Sequence, residues 1–335
     1  MTRDEQPRQE EQPGEPDGHA GDVRDFQPEI HGAGSVRVRG RGGRKACVAA
    51  SAVILPHPVW AAGELPGEVP TLATAWSLSP VVPALLLVIA LYGIGLSRLW
   101  RGGHAGRGIS IAEAASFFAG TGVLVLAMVW PVDAYGAWLL SAHMGQHMLL
   151  LALAPPLLLA GRPLAVLAAA LPPRWSKALH RVLHPLQAPF SRTLALATSA
   201  NVAVMWGWHA PAALALVMRS EPAHWLMHGS FLLAGLWLWT LLWQRIRDDA
   251  SGALSGAIAI VVVMMQMGFL GALLVFSRRI LHPVYADRAA ELGITAFDDQ
   301  QLAGLIMWVP SALPYLVGAV WLLAREFRRM ERRPG

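Results

Sequence analysis

The stretch SAHMGQHMLLLALAPPLLLAGRP, residues 141–163, is apolar enough to lie in lipid and nevertheless carries two histidines near its start. A helix of about 20 residues crosses a hydrocarbon core of about 30 Å, so this stretch predicts a membrane-spanning helix. His143 and His147 are four residues apart, which places both on one face, about 6 Å apart along the helix axis. Two imidazoles at this spacing can bind one ligand together.

Seven stretches of the chain, including this one, are long and apolar enough to cross a membrane. They cover residues 79–99, 111–130, 138–160, 192–210, 223–243, 253–276 and 301–324. Backbone amides cannot stay unpaired in lipid, and these stretches are too long and uniformly apolar for barrel strands, so we expect helices. The predicted fold is therefore an all-α, polytopic membrane bundle of seven transmembrane helices. The prolines inside the third and seventh helices should kink or locally unwind them.

The composition of the 335-residue chain also indicates a protein of the lipid bilayer, since 54% of its residues are apolar and only 15% are charged. Its formal net charge of +5 does not predict a nucleic-acid partner, because Lys and Arg in a membrane protein mark the cytoplasmic loops. Cys47 is the single cysteine, which excludes an internal disulfide and any CxC or CxxC metal motif.

The two ends of the chain differ from the bundle. Residues 1–45 are rich in Gly, Pro and charged side chains and nearly lack large apolar ones, which predicts a disordered tail. Residues 46–63 follow a basic stretch and combine an apolar run with small residues, a pattern typical of a signal peptide or an uncleaved signal anchor. A start codon assigned too early is a third interpretation. We expect the seven-helix membrane domain over residues 76–324 and a basic cytoplasmic tail over residues 325–335.

The distribution of cations between the connections predicts the orientation of the bundle. One set of alternate connections holds 15 Lys and Arg, in residues 98–107, 162–192, 245–247 and 325–333. The opposite set holds only Arg219, Arg278, Arg279 and Arg288. Because cations remain on the cytoplasmic side, we expect a multi-pass protein of a bacterial-type cell membrane with its C-terminus in the cytoplasm.

In this orientation, several histidines and a carboxylate collect at the outer side of the membrane. These residues are His143, His147, His209, His224, His228 and Asp299. Polar groups inside a membrane are costly and tend to be functional, so two HxxxH pairs at one depth predict a shared metal or cofactor site, with structural hydrogen bonding as the alternative interpretation. A lone histidine such as His282 is more typical of an interfacial anchor. Asp298 and Asp299 also suit the N-terminus of the seventh helix, where they would act only as caps.

The ligand types favour copper over zinc. Imidazole suits zinc, copper, iron and nickel, and neighbouring thioethers shift the preference toward Cu(I). Met144, Met148 and Met227 flank the histidines, and the sixth stretch adds further methionines. Methionine is also an ordinary filler of helix interfaces, so a ligand role for these side chains stays the weaker interpretation.

Four segments of the chain together resemble the seven-span CtaG family of cytochrome c oxidase assembly factors. They are HMGQHMLLLALAPPLLLAGRP (143–163), WHAP (208–211), HWLMHGSFLLAGLWLW (224–239) and, most specifically, DQQLAGLIMWVP (299–310). The resemblance covers about residues 76–324. It implies a role in maturing a haem-copper cytochrome c oxidase by helping copper reach a metal centre of an oxidase subunit. The matching residues are His143, Gln146, His147, His209, His224, His228, Asp299, Gln300, Gln301, Gly304, Trp308 and Pro310.

We therefore expect a non-enzymatic assembly factor that binds copper between the third, fourth, fifth and seventh helices. His209 and Asp299 would be further ligands or would orient the ligands. The alternative is an intramembrane zinc hydrolase of the seven-span, three-histidine type, in which the metal activates a water for lipid amide hydrolysis. A third possibility is haem held by histidines from two helices.

Overall fold

A computed structural model of the protein describes residues 67–101, 106, 108–178, 181, 193–247 and 252–331. The predicted tail over residues 1–45 and the predicted signal segment over residues 46–63 lie outside this range, as do residues 332–335. The domain boundaries assigned from the sequence in these regions remain predictions.

The described chain forms helices and contains no strand. The first half comprises α1 (Val81–Leu99), α2 (Ile111–Met128), α3 (Val132–Gly136), α4 (Leu140–Met148), a π-helical turn (Leu149–Leu153), α5 (Ala154–Ala160) and α6 (Pro163–Ala170). The second half comprises α7 (Leu194–His209), α8 (Pro211–Val217), α9 (Glu221–Arg247), α10 (Ala253–Phe276), a 3₁₀ turn (Pro283–Tyr285), α11 (Ala286–Glu291) and α12 (Ala296–Glu331). A further helical stretch occupies residues 173–178.

The helices confirm the predicted all-α membrane bundle. Six helical segments are long and apolar enough to cross a membrane, if α4, the π-helical turn and α5 are counted as one segment. A seventh is present if α7 and α8, bent by 76° at Ala210, count as one span. α12 is longer than the predicted 301–324 because it begins in a polar cap. Its first turn is closed by Thr295, whose hydroxyl donates to the Asp298 carboxylate at 2.7 Å. Hydropathy detects only the part of such a helix that lies in lipid.

The prolines act on the third and seventh spans in different ways. Pro155 has no N–H for the Leu151 carbonyl, and the helix widens into a π-helical turn just before it, as the sequence predicts. The Tyr315 hydroxyl lies 3.5 Å from this carbonyl and donates to it. Pro310 lies inside α12 without ending it, since the Ser311 hydroxyl donates to the free Ile306 carbonyl at 2.7 Å.

The third span, formed by α4, the π-helical turn and α5, lies at the centre of the bundle between α2, α9 and α12. α10 and α12 pack closely through two glycines. A Cβ on Gly271 would lie 2.7 Å from the Gly304 carbonyl oxygen, which leaves no room for a larger residue. The starts of α4, α9 and α12 and the end of α7 lie at the same end of the bundle, which we call the histidine end.

Candidate metal centre

Four imidazoles from three helices meet at the histidine end. His143 and His147 come from α4, His209 ends α7, and His228 lies in the second turn of α9. Ring centroids are 4.3 Å apart for His143 and His147, 5.4 Å for His147 and His209, and 6.3 Å for His147 and His228. None of the four residues is more than 5% exposed. We call this group the histidine cluster.

The histidine cluster contains ring nitrogens that have no hydrogen-bond partner within the described part of the chain. They are His143 Nε2, His147 Nδ1, His147 Nε2, His209 Nε2 and His228 Nε2. Buried polar atoms are nearly always paired, because leaving one unpaired costs about 1–3 kcal/mol. A neutral imidazole has one lone pair and one N–H, so these four rings offer at most four lone pairs, an arrangement that suits a ligand held by nitrogen donors.

The backbone fixes the orientation of one of these rings. His209 Nδ1 lies 2.6 Å from the Met205 carbonyl oxygen, which can only accept a hydrogen bond. Nδ1 therefore carries the proton, and the lone pair of Nε2 is left for a ligand. A carbonyl in this position is a common partner of metal-bound histidine.

An apolar shell surrounds the histidine cluster. Phe231 stacks on His147 with centroids 4.2 Å apart and meets the His209 ring edge-on at 6.2 Å. Seven methionines are buried in the same hydrophobic core: Met144, Met148, Met205, Met218, Met227, Met267 and Met307. Met265, in contrast, is 60% exposed on the outside of α10, so it faces away from the cluster.

His224 lies one turn before His228 and nearer to solvent. The two rings are 4.3 Å apart, and His224 Nε2 lies 3.8 Å from Asp133 Oδ1. Ligand atoms of Asp133, His224 and His228 all lie within 4.8 Å of one another, which is close enough for one metal ion. The structure thus places His224 at the edge of the histidine cluster, beside a carboxylate that the sequence analysis missed.

Gln146, the glutamine of the HxxQH motif, holds this carboxylate. Its Nε2 donates to Asp133 Oδ1 at 2.7 Å and to the Ala127 carbonyl at 2.8 Å. Gln146 is 1% exposed. A buried amide on a membrane helix requires polar partners, and Asp133, in the short connection before α4, is one of them. This requirement is the signal that could have identified Asp133.

Asp299 contacts backbone amides instead of the histidine rings. Its carboxylate accepts hydrogen bonds from the amides of Leu140 at 2.7 Å and Ser141 at 3.0 Å, the first residues of α4. Of the two aspartates, only Asp298 takes part in the cap of its own helix, through Thr295. This geometry favours the predicted orienting role of Asp299 over direct ligation, because it stabilises the start of the helix that carries His143 and His147.

The rest of the DQQLAG segment also positions the site. Gln300 accepts a hydrogen bond from the Leu281 amide at 2.7 Å and donates to the Leu274 carbonyl at 3.2 Å. These bonds attach the connection between α10 and α12 to the start of α12. Gly304 provides the close approach to α10, whereas Gln301 is exposed and nothing in the structure explains it.

This connection, residues 277–295, covers the histidine cluster. Tyr285 donates to the Gly136 carbonyl and Arg288 to the Ala137 carbonyl, both at 2.9 Å. The Tyr285 ring lies 6.1 Å from the His143 ring. Burial raises the pKa of the Tyr285 phenol, which therefore remains a hydrogen-bond donor at neutral pH.

The connection also carries His282, for which the sequence predicts a lone interfacial position. His282 is 4% exposed, and its Nδ1 has no hydrogen-bond partner within the described residues. It is near enough to His143 and His209 for their protonated forms to repel one another, so it lies close to the histidine cluster. Burial lowers the pKa of His282 to about 4, which keeps its ring neutral at pH 7 and able to bind a metal. The interpretation as a simple anchor does not fit this position.

Comparison with known proteins identifies the family. No curated protein and no solved structure matches the chain. The sequence model of one family, described as cytochrome c oxidase caa3 assembly factor (Caa3_CtaG), matches residues 90–329. This range includes every helix that contributes to the histidine cluster. The chain therefore belongs to the Caa3_CtaG family of cytochrome c oxidase caa3 assembly factors.

Proposed function

We propose that this assembly factor acts without catalysis, by binding copper in the histidine cluster and supplying it to a subunit of the oxidase. The observation that carries the proposal is the set of five unpaired ring nitrogens on His143, His147, His209 and His228. No other group of buried side chains in the described chain offers so many nitrogen donors in one place. Copper is the cargo in this proposal.

The spacing of the rings supports binding of one ion. Two imidazoles bound to one tetrahedral ion at about 2.0–2.1 Å have centroids roughly 5 Å apart. The observed centroid distances of 4.3, 5.4 and 6.3 Å lie around this value. Among the described residues, ligand atoms of three side chains lie within 4.8 Å of one another only at Asp133, His224 and His228, so the rings of the histidine cluster would have to turn inward before three of their nitrogens could contact one ion. The buried methionines in the hydrophobic core of the bundle favour copper over zinc.

The surrounding residues support the same proposal. Asp299 stabilises the start of α4, and the backbone carbonyl of Met205 orients His209. We further propose that the histidine end faces the outside of the cell. The excess of Lys and Arg in the connections at the opposite end favours this orientation, because cationic loops stay cytoplasmic. Copper would then be bound and released on the side where an exported acceptor domain is accessible.

A lipid hydrolase fits the geometry less well. A cavity of about 950 Å³ lies on the third span and is almost wholly apolar, so it is the place where acyl chains could enter. The third span contributes residues such as Ser141, Gly145 and Ala152 to it, whereas no histidine lines it. His143 and His147 lie on the opposite face of α4. A catalytic zinc site also needs three ligands and an open position, and here the histidines are more numerous.

Metal analysis tests the proposal. We expect protein purified from copper-supplied cells to hold about one copper per chain, and His147→Gln to lose most of it while expressing normally. His180→Gln is the matched control, because the sequence places this histidine between the third and fourth predicted spans, on the predicted cytoplasmic side, and this variant should retain copper. Oxidase activity of the cells should fall with His147→Gln only. Equal copper contents in all three proteins would contradict the proposal. Bound zinc together with lipid amide hydrolysis would indicate the hydrolase instead. A Soret absorption band would indicate bound haem.

A further inference from the structure

We infer that Asp133, His224 and His228 form a second metal site, an exchange site through which copper enters and leaves the histidine cluster. This inference rests on the proposed function, because it assumes that the cluster binds copper. The inference is based on the contacts of Asp133 and His224, which lie nearer to the protein surface than the histidine cluster.

The first observation is the geometry of the three side chains. A carboxylate oxygen and one nitrogen from each ring lie within 4.8 Å of one another. Asp133 is the acidic residue of α3, in the connection between α2 and α4, whereas both histidines come from the start of α9. The group therefore joins two separate parts of the histidine end. Gln146 holds Asp133 Oδ1 at 2.7 Å, so the carboxylate is positioned before any ion arrives.

The second observation is that the side chains of the two sites differ in solvent exposure. The side chains of His224 and Asp133 are 23% and 22% exposed, whereas His143 and His147 are at most 1% exposed. An ion from solvent thus reaches Asp133 and His224 first. A small cavity of about 10 Å³ that is lined by both residues also touches His143 and Gln146, so the exchange site adjoins the histidine cluster.

The third observation is that His228 belongs to both sites. Its ring lies 4.3 Å from that of His224 and 6.3 Å from that of His147. An ion can therefore exchange Asp133 and His224 for His147 and His143 while it stays bound to His228. Each step replaces one coordinate bond with another, and no electron or proton has to be supplied.

The ligand chemistry gives this transfer a direction. A carboxylate is a hard ligand that suits Cu(I) poorly, whereas imidazoles suit it well. The exchange site should therefore bind Cu(I) more weakly than the histidine cluster. Copper would accumulate in the cluster and leave through the exchange site when an acceptor with stronger ligands is present.

Transfer kinetics of the full chain in lipid nanodiscs test the inference. The protein is loaded from a weak Cu(I) chelator and then unloaded by a strong one, and the bound copper is followed in both directions. We expect Asp133→Asn to keep the wild-type copper content at equilibrium but to load and release about tenfold more slowly. His224→Gln should behave in the same way. Asp287→Asn removes an exposed carboxylate on α11 and should leave both rates unchanged.

The outcomes separate the two proposals. If the wild type takes up no copper, the proposed function fails, and the exchange site fails with it. If the wild type loads copper and both variants exchange it at wild-type rates, only the exchange site is wrong. If the variants lose copper at equilibrium, Asp133 and His224 are ligands of the main site, which also overturns the inference. Circular dichroism of each variant establishes that the helices remain folded.

Discussion

The carboxylate of Asp299 accepts a hydrogen bond from the backbone amide of Leu140, 159 positions earlier in the chain, at 2.7 Å. A second bond, from Ser141 at 3.0 Å, uses its other oxygen. The seventh span thus caps the helix that carries His143 and His147. A negative charge at this position interacts favourably with the helix dipole, and it pairs amides that would otherwise be buried without partners.

Substitution of Asp299 should therefore affect both stability and metal binding. In Asp299→Asn, an NH₂ group replaces one acceptor oxygen and leaves a backbone amide of α4 unpaired. We expect a loss of about 1–2 kcal/mol in stability, visible as a lower Tm, together with weaker copper binding. Asp298→Asn changes the neighbouring carboxylate, which caps only its own helix, and should have a smaller effect. Equal Tm values for the two variants would contradict a special role for Asp299.

The contact between α10 and α12 predicts the effect of a single methyl group. Gly271→Ala places a Cβ 2.7 Å from the Gly304 carbonyl oxygen, so the helices must move apart. Overpacking of this kind costs about 1–3 kcal/mol, and Tm should fall. In Gly122→Ala the new Cβ meets nothing within 4 Å, so Tm should stay the same or rise slightly. A wild-type Tm for Gly271→Ala would show that the two helices tolerate separation.

The connection over the histidine cluster should control how fast copper leaves. Tyr285→Phe removes the hydrogen bond to the Gly136 carbonyl, worth about 1 kcal/mol, and keeps the ring. We expect faster copper release to a chelator and faster amide hydrogen exchange in residues 277–295. Tyr135→Phe, a matched change on α3, should alter neither rate. An unchanged rate of copper release from Tyr285→Phe would show that this connection does not control copper release.

The pKa of His282 predicts a pH dependence of stability. Its pKa is about 4 in the folded protein, below the 6.5 of an unfolded chain, so between these values the unfolded state binds more protons. Stability should therefore decrease as the pH falls from 6.5 to 4. The Tm of chelator-treated protein measures this slope, which should be shallower in His282→Asn. If Tm falls with pH as steeply in His282→Asn as in the wild type, His282 is already exposed in the folded protein and does not contribute to the pH dependence of stability.

Much of the fold could be predicted because hydropathy is a local property. The predicted limits of α10, residues 253–276, are those observed, since both ends coincide with the ends of the apolar run. The limits of α9 and α12 were predicted less well, because polar turns extend these helices beyond the lipid. The π-helical turn before Pro155 follows from the missing N–H, which is also a local cause.

The site was predictable only in part. Helical periodicity placed His143 with His147 and His224 with His228, and the predicted topology placed both pairs at one end. The sequence gives no sign of Asp133 and predicts only an interfacial anchor at His282, because a single polar residue in a connection carries no periodic signal. Their positions result from the way the connections fold back over α4 and α9.

By itself, the sequence determined that this chain is a helical membrane bundle with its histidines at one depth, because apolar length and helical spacing are encoded by consecutive residues. Only the tertiary structure decided which imidazoles lie next to one another, that Asp299 caps α4, and that Asp133 lies beside His224. These relationships join residues up to 159 positions apart, and they depend on how the helices pack against one another.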